Sequence, residues 1–282
     1  MALFSKIKNT IGLLKDVDLE KLAKLNEKID LKQAMNTLGN LDDRQIKGLM
    51  KMLNHQGKKG QHQLPPIDGD FYNLDLKLTE EQRELQLKVR NFMEDEVRPL
   101  VNDYWNKAKF PFEIIEKFAQ LNITGVPYEG YGCPNLPFLM EGIIAQEIAR
   151  VDVSISTFFG VHSGLAMGSI YLCGSDEQKQ EWLPKMQRLE KIGAFGLTEP
   201  NAGSDAGNTQ TRAVLEEDEY IINGEKAFCT NAGEASVMIF TAVMVENDEE
   251  KGISAFVIDA DTEGMSLNPP EKKMGWCGSD TR

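Results

Sequence analysis

Hydrophobic residues recur at helical spacing between about residues 79 and 190. Thr79-Glu80-Glu81-Gln82 has the form of a capping box, and Leu85, Val89 and Phe92 follow on one helical face. Ser175-Asp176-Glu177-Gln178 repeats the capping pattern ahead of a second apolar stripe. The same periodicity predicts further helices over 111–121, 139–151 and 156–172.

From about residue 192 the pattern changes to that of β-strands. Ser236–Val245 and Ile253–Asp259 are apolar runs of strand length, and apolar and polar residues alternate over 209–215. Tyr220–Phe228 is predicted to form a hairpin that turns at Asn223-Gly224, because both residues tolerate the positive φ of a type I′ turn. The predicted fold class is α+β, a helical domain followed by a β-barrel-like domain.

Charge sets the start of the chain apart from the rest. The 282 residues contain 31 Lys+Arg and 44 Asp+Glu, a net charge of -13, yet residues 1–63 hold 12 basic and 7 acidic residues. Glycine, lysine and proline residues over 57–66 are typical of a linker. We therefore predict three parts: a helical N-terminal extension with its linker (1–63), a helical domain (64–190) and a β domain (191–282).

Composition removes several classes of function. The acidic balance disfavours nucleic acid as a partner. The four cysteines form no C-x-x-C pair and the three histidines have no metal-ligand spacing, so we expect no metal and a reducing compartment. The chain has neither an uninterrupted apolar stretch of about 18 residues nor a signal-peptide pattern, so we expect no membrane span and a cytoplasmic location.

Two clusters could carry chemistry. Phe195–Asp205 is an apolar strand that runs into a loop of glycines and small hydroxyl residues, whose exposed N–H groups suit a flavin edge or a pyrophosphate. An ordinary strand and turn is the alternative. In the second cluster, Phe228–Gly233, an aromatic residue and a hydroxyl residue precede a loop that contains glycine. The alternative for this cluster is an aromatic side chain packed in the core. Neither cluster is a Rossmann or P-loop fingerprint.

The order and spacing of these clusters resemble the acyl-CoA dehydrogenase family over about residues 75–282. The matching motifs are Leu197–Pro200, Ala202–Asp205, Ile222–Lys226, Thr230-Asn231, Lys273–Gly275 and Ser279–Arg282. Within the family, Gly130–Cys133, Ala149–Asp152 and Gly196–Asn201 are most similar to the branch of glutaryl-CoA dehydrogenases and short-chain acyl-CoA oxidases.

The resemblance implies a flavoprotein of fatty acid β-oxidation. In this family FAD takes a hydride from the β carbon of an acyl-CoA thioester while a glutamate removes the α proton. The residues implied to bind FAD are Phe195, Gly196, Leu197, Thr198, Gly203, Ser204, Phe228, Cys229 and Thr230, and many relatives carry Trp at the position of Phe228. The residues implied to contact acyl-CoA are Ser156, Thr157, Ser204, Ser279 and Arg282.

Two departures from the family pattern bear on substrate and activity. Ser156 stands where glutaryl-specific members carry an arginine, and a serine cannot form a charge-assisted bidentate contact with a distal carboxylate. We therefore expect a monocarboxylyl substrate of short to medium chain length. Family members continue into a C-terminal four-helix bundle that carries the catalytic glutamate and most of the oligomer contacts, whereas this sequence stops at Arg282. We expect a truncated chain with no catalytic residue, inactive by itself, and a homo-oligomer in the full-length form.

Three functions remain open at this stage. A dehydrogenase would pass its electrons to an electron-transfer flavoprotein. An oxidase of the same fold would pass them to O₂. A non-catalytic binding subunit would keep the fold and use residues 1–63 for docking.

Overall fold

The computed structural model describes residues 77–282. Its first part is helical, and both predicted capping boxes form. The Thr79 hydroxyl accepts from the Gln82 N–H at 3.3 Å and the Gln82 side chain accepts from the Thr79 N–H at 3.0 Å; Ser175 and Gln178 repeat this pair at 3.3 and 2.9 Å. The α-helices are α1 (Glu80–Phe92), α2 (Arg98–Lys107), α3 (Ile115–Ala119), α4 (Phe138–Ala149), α5 (Val153–Phe159), α6 (Met167–Cys173) and α7 (Asp176–Gln187).

A long helix formed from α5 and α6 lies in the helical part. A π-helical segment, Gly160–Ala166, joins α5 to α6, so the chain is continuously helical over Val153–Cys173. By length and composition this helix could cross a membrane, since an 18-residue window within it has a mean hydropathy of 1.2, but 56% of that window is buried in the described fold. Its buried side chains, such as Phe159 and Met167, pack into the two main apolar clusters, which identifies it here as a core helix.

The second part is one five-stranded mixed sheet. Its strands are β1 (Gly193–Gly196), β2 (Arg212–Glu216), β3 (Glu219–Asn223), β4 (Val237–Glu246) and β5 (Glu249–Asp259). The long strand β4 is central: β5 runs antiparallel to it, while β1 and β2 both pair with it in parallel, β1 with Val237–Phe240 and β2 with Val243–Val245. Between β1 and β2 the chain leaves the sheet, and this excursion (197–211) contains the first of the two predicted clusters except for Phe195 and Gly196, which lie in β1.

The structure confirms the order of a helical domain and a sheet domain. The sheet itself is open rather than closed into a barrel, because β3 and β5 each pair with one strand only among the described residues. The three predicted domain boundaries stay predictions, and the helical extension 1–63 lies outside the described residues.

The predicted hairpin turn at Asn223-Gly224 is wrong. β3 ends at Asn223, and its antiparallel partner is the preceding strand, β2, in a register that runs from Glu216↔Glu219 to Arg212↔Asn223. A Cβ at Gly224 would lie 2.7 Å from the Cα of Thr211, so glycine is needed there for close backbone approach and not for a turn. Two consecutive residues with positive φ occur instead at Asn247-Asp248, between β4 and β5.

Candidate functional site

A buried carboxylate organises the excursion that follows β1. Glu199 is 4% exposed and accepts hydrogen bonds from the Thr209 hydroxyl, the Thr211 hydroxyl (2.5 Å) and the backbone N–H groups of Gln210 (2.5 Å) and Thr211 (3.1 Å). The Lys226 ammonium lies 2.6 Å from the same carboxylate. Glu199 therefore ties both ends of the excursion to the chain that leaves β3.

The charge state of Glu199 follows from these contacts. Burial by itself raises the pKa of the carboxyl, but the donors from Lys226, Thr209, Thr211 and Gln210 outweigh burial and hold the pKa far below its usual range. A carboxylate with such a low pKa is a poor proton acceptor, so Glu199 serves to shape the loop. Lys226 was not singled out from the sequence as a site residue, although it closes the Ile222–Lys226 motif.

The two predicted clusters lie side by side. The Ala227 N–H donates to the Thr198 carbonyl at 2.8 Å, and the Lys226 ammonium donates to the Leu197 carbonyl at 3.2 Å. The segments Phe195–Thr198 and Phe228–Thr230 therefore form two adjoining walls, which we call the first wall and the second wall. The structure thus brings together seven of the nine residues that the resemblance implies for FAD.

Both walls present apolar surface. Phe228 is 64% exposed and has a positive φ of 57°, while Leu197 is exposed and Phe195 is half-buried. Cys229 faces inward, and burial raises the pKa of its thiol to about 11, so the thiol is neutral at pH 7. Exposed apolar side chains on adjoining segments are typical of a surface that binds a flat ligand.

The turn at the tip of the excursion is open. Glu199 and Ala202 exchange backbone hydrogen bonds at 3.0 and 3.1 Å, which leaves Gly203 and Ser204 exposed just beyond. Nothing lies within 4 Å of the position that a Cβ would take at Gly203. A phosphate group could therefore approach the backbone N–H groups here, as the resemblance implies for the pyrophosphate of FAD.

The end of the described chain pairs with the second wall. Cys229 and Arg282 exchange backbone hydrogen bonds at 2.6 and 3.1 Å, and Thr230 pairs with Thr281. The Arg282 guanidinium is held by the Asp280 carboxylate at 3.1 Å. Ser279 is buried, and its hydroxyl has no hydrogen-bond partner among the described residues.

The predicted substrate residues thus fall into separate groups. Ser279 and Arg282 lie beside the second wall. Ser156 and Thr157 lie on α5, where their hydroxyls donate to the carbonyls of Ala145 (3.4 Å) and Val153 (2.8 Å). No hydrogen bond within the described range joins Ser204 to either group. Among residues 77–282, no cluster of three or more His, Cys, Asp or Glu side chains could hold a metal.

Comparison with known families identifies both halves of the described chain. Residues 79–190 match the acyl-CoA dehydrogenase N-terminal domain and residues 194–282 match the acyl-CoA dehydrogenase middle domain. The chain belongs to the acyl-CoA dehydrogenase family, as its motifs predicted.

Curated relatives come from several branches of this family. A short-chain specific acyl-CoA dehydrogenase from Clostridium acetobutylicum is 39% identical over 209 residues, which is 74% of this chain and 55% of that protein. A mitochondrial isobutyryl-CoA dehydrogenase from Dictyostelium discoideum is 33% identical over 246 residues, 84% of this chain and 58% of that protein. This chain therefore spans little more than half the length of these relatives.

Solved structures show the same coverage. A glutaryl-CoA dehydrogenase from Mycobacterium smegmatis in complex with FADH2 superposes with a TM-score of 0.70 at 33% identity, over 74% of this chain and 53% of that one. A chain from a structure titled as the electron transferring flavoprotein of Acidaminococcus fermentans superposes with a TM-score of 0.68 at 33% identity, over 72% and 54%.

Proposed function

We propose that this chain supplies the FAD-binding and acyl-CoA-binding surfaces of an enzyme that dehydrogenates an acyl-CoA thioester between its α and β carbons. The observation that carries the proposal is the pairing of Thr198 with Ala227, which sets the two walls next to each other, each with an exposed apolar side chain, Leu197 and Phe228. The FADH2 complex of the M. smegmatis relative supports FAD as the cofactor.

The residues present fit a flavin. The first wall, Phe195–Thr198, and the Phe228 ring of the second wall would hold the isoalloxazine by apolar contact, while the open backbone at Gly203 and Ser204 would meet the pyrophosphate. When bound, FAD supplies the hydride acceptor. The chain itself contributes orientation and the exclusion of water from the reacting carbons.

Proton removal needs a base that the described site does not offer. Glu199 is engaged by five donors and held ionised by them. We propose that none of the described carboxylates removes the α proton. The glutamate that removes it would come from the C-terminal domain that other members of the family carry.

Substrate choice is proposed from Ser156. Its hydroxyl is uncharged and is directed to the Ala145 carbonyl, so a distal carboxylate would lose hydration at this point without gaining a cation. We therefore propose a monocarboxylyl thioester of short to medium chain length. The short-chain specificity named for the C. acetobutylicum relative supports this choice.

We also propose an electron acceptor, an assembly and a location. An electron-transfer flavoprotein is the proposed acceptor, in keeping with the A. fermentans similarity, and an oxidase that uses O₂ is the alternative. A homo-oligomeric full-length enzyme and a cytoplasmic location follow from the resemblance and from the cysteine pattern. Docking through residues 1–63 remains a prediction about a segment outside the described residues.

The test is a titration of FAD onto the purified chain, followed by flavin fluorescence and absorption. We expect binding in the wild type and a roughly tenfold weaker affinity in Phe228→Ala. Trp105→Ala, which removes an exposed aromatic side chain on α2, is the matched control and should bind FAD normally. A wild-type chain that does not bind FAD would contradict the proposed cofactor site.

The substrate is tested on the FAD-loaded chain by adding butyryl-CoA or glutaryl-CoA and following the flavin spectrum. We expect butyryl-CoA to bind at least tenfold more tightly. Equal or tighter binding of glutaryl-CoA would contradict the monocarboxylyl proposal.

A further inference from the structure

A single glycine at the start of β1 is held from two sides by buried side chains. The Gly193 N–H donates to His162 Nδ1 at 3.0 Å, and the Gly193 carbonyl accepts from Asn231 Nδ2 at 3.3 Å. His162 is 0% exposed and Asn231 is 4% exposed. A Cβ on Gly193 would lie 2.6 Å from the side chains of both Ala166 and Met186, so this position accepts only glycine without a shift.

Gly193 needs these partners because the sheet does not supply them. Where β1 meets β4, the Val237 N–H bonds to the Ile192 carbonyl at 3.1 Å, and in this parallel register the polar groups of Gly193 point away from β4. A buried N–H or carbonyl left without a partner is destabilising. His162 comes from the long helix and Asn231 directly follows the second wall, so the two partners belong to different parts of the fold.

The ring of His162 is held in one tautomer. Its Nε2 lies 2.9 Å from the Met186 carbonyl, which can only accept, so Nε2 carries the hydrogen and Nδ1 is free to accept from Gly193. The ring also lies parallel to Phe158, with an interplanar angle of 5° and centroids 6.1 Å apart. Burial keeps this imidazole neutral, as the acceptor role requires.

The amide of Asn231 joins three segments that carry site residues. Besides the Gly193 carbonyl it donates to the Phe158 carbonyl at 3.2 Å, next to Thr157 on α5. Its backbone N–H donates to the Asp280 carbonyl at 2.9 Å, and the preceding residue is Thr230 of the second wall. The Asn231 side chain, which directly follows the second wall, thus bonds to α5 and to the first residue of β1, the strand that leads into the first wall.

From this geometry we infer that Asn231 and His162 are positioning residues, which set the spacing between the two walls and place both walls against α5. The inference rests on the proposed function where it concerns FAD and acyl-CoA. If the amide of Asn231 is removed, the second wall loses its link to Gly193 and to Phe158 at once. Binding of FAD and binding of the thioester should therefore weaken together.

The test uses two substitutions at Asn231 in the whole chain. Asn231→Gly removes the amide but accepts the φ of 70° found at this position, and Asn231→Asp keeps the shape while turning a carboxylate oxygen towards two carbonyls. Asn247→Gly is the matched control, because Asn247 also has a positive φ and lies in an exposed turn. We expect both Asn231 variants to lose roughly tenfold or more in affinity for FAD and for butyryl-CoA, and the control to stay within about twofold.

Substitutions at His162 supply a rescue experiment. His162→Leu removes the acceptor for the Gly193 N–H, whereas an asparagine oxygen can occupy the place of Nδ1. We expect His162→Asn to recover a large part of the FAD and butyryl-CoA affinity that His162→Leu loses. Equal losses in the two variants would contradict a role for the hydrogen bond to Gly193.

Hydrogen exchange on the FAD-free chain separates this inference from the proposed function. We expect Asn231→Gly to speed amide exchange in both Phe195–Thr198 and Phe228–Thr230, and Asn247→Gly to leave both segments unchanged. Unchanged exchange in Asn231→Gly overturns the inference, whether or not the wild type binds FAD. If Asn231→Gly exchanges faster but the wild type does not bind FAD, the positioning role is supported and the proposed function is overturned.

Discussion

Each half of the described fold contains a buried carboxylate paired with a cation, and the two pairs have different consequences. In the helical half, Glu147 on α4 is fully buried and is bonded by Arg90 and Gln86 of α1. In the sheet half, Glu199 is bonded by Lys226 and by the end of the excursion. The first pair joins two helices, whereas the second shapes a loop that carries exposed site residues. We therefore expect the position of a buried ion pair, more than its chemistry, to decide whether the pair affects FAD binding.

The largest expected effect comes from removing either carboxylate. Glu199→Gln and Glu147→Gln each leave a buried cation without its counter-charge, so each should lower the free energy of unfolding by about 3–5 kcal/mol. Urea unfolding measures this loss, and FAD titration at low urea measures binding. Glu199→Gln should also weaken FAD binding in the molecules that remain folded, while Glu147→Gln should not. Equal effects on FAD would remove the distinction between the two pairs.

A pH dependence of stability is expected at the junction of the two halves. Burial lowers the pKa of His162 to about 4, below its ordinary value of about 6.5, so the unfolded chain binds more protons between these values. Stability from this group is fully present above pH 6.5 and falls by about 3 kcal/mol as the pH drops towards 4.

The pH effect can be separated from that of Glu199. The pKa of Glu199 is lowered, so its contribution is present above its ordinary value near 4.5 and is lost only below that. Urea unfolding at pH 7 and pH 5 therefore samples the histidine range. His162→Asn should reduce the change in the free energy of unfolding between pH 7 and pH 5. An unchanged pH dependence in this variant would assign the effect to other titrating groups.

Two glycine substitutions compare a packed position with an open one. Gly193→Ala should destabilise the chain by about 1–3 kcal/mol, because the added methyl group meets Ala166 and Met186. Gly203→Ala meets nothing within 4 Å and should change stability by less than about 0.5 kcal/mol. Its FAD affinity should nevertheless fall, since the methyl group would occupy the approach to the backbone. Thermal unfolding and FAD titration of both variants provide the check, and a normal FAD affinity in Gly203→Ala would argue against a pyrophosphate at this turn.

The smallest expected effect on FAD binding is at the N-terminal cap of α7, where the Ser175 side chain bonds within its own helix turn. Ser175→Ala removes one half of the capping box of α7 and should cost about 1 kcal/mol. Because α7 carries none of the predicted site residues, the FAD affinity should stay the same. A weaker FAD affinity in this variant would show that stability and binding are coupled more broadly than the two ion pairs indicate.

The local features were the easiest to predict from sequence. Both capping boxes form because a Ser or Thr and a Gln three residues later contact only their own helix turn. The strands β4 and β5 follow the predicted apolar runs, with β4 at Val237–Glu246. The motifs also identified the family, and with it the residues that form the two walls. Their individual roles remain predictions.

What the amino-acid order determined by itself was therefore the type of most main elements and the family, because element type depends on short spacings along the chain and the family on short motifs. The tertiary structure decided everything that depends on distant residues meeting. It alone placed Gly224 against Thr211 instead of in a turn, directed Thr209, Thr211 and Lys226 onto Glu199, and closed His162 and Asn231 around Gly193. These contacts join residues far apart in the chain, and their energies come from burial and complementary hydrogen bonds that no local pattern specifies.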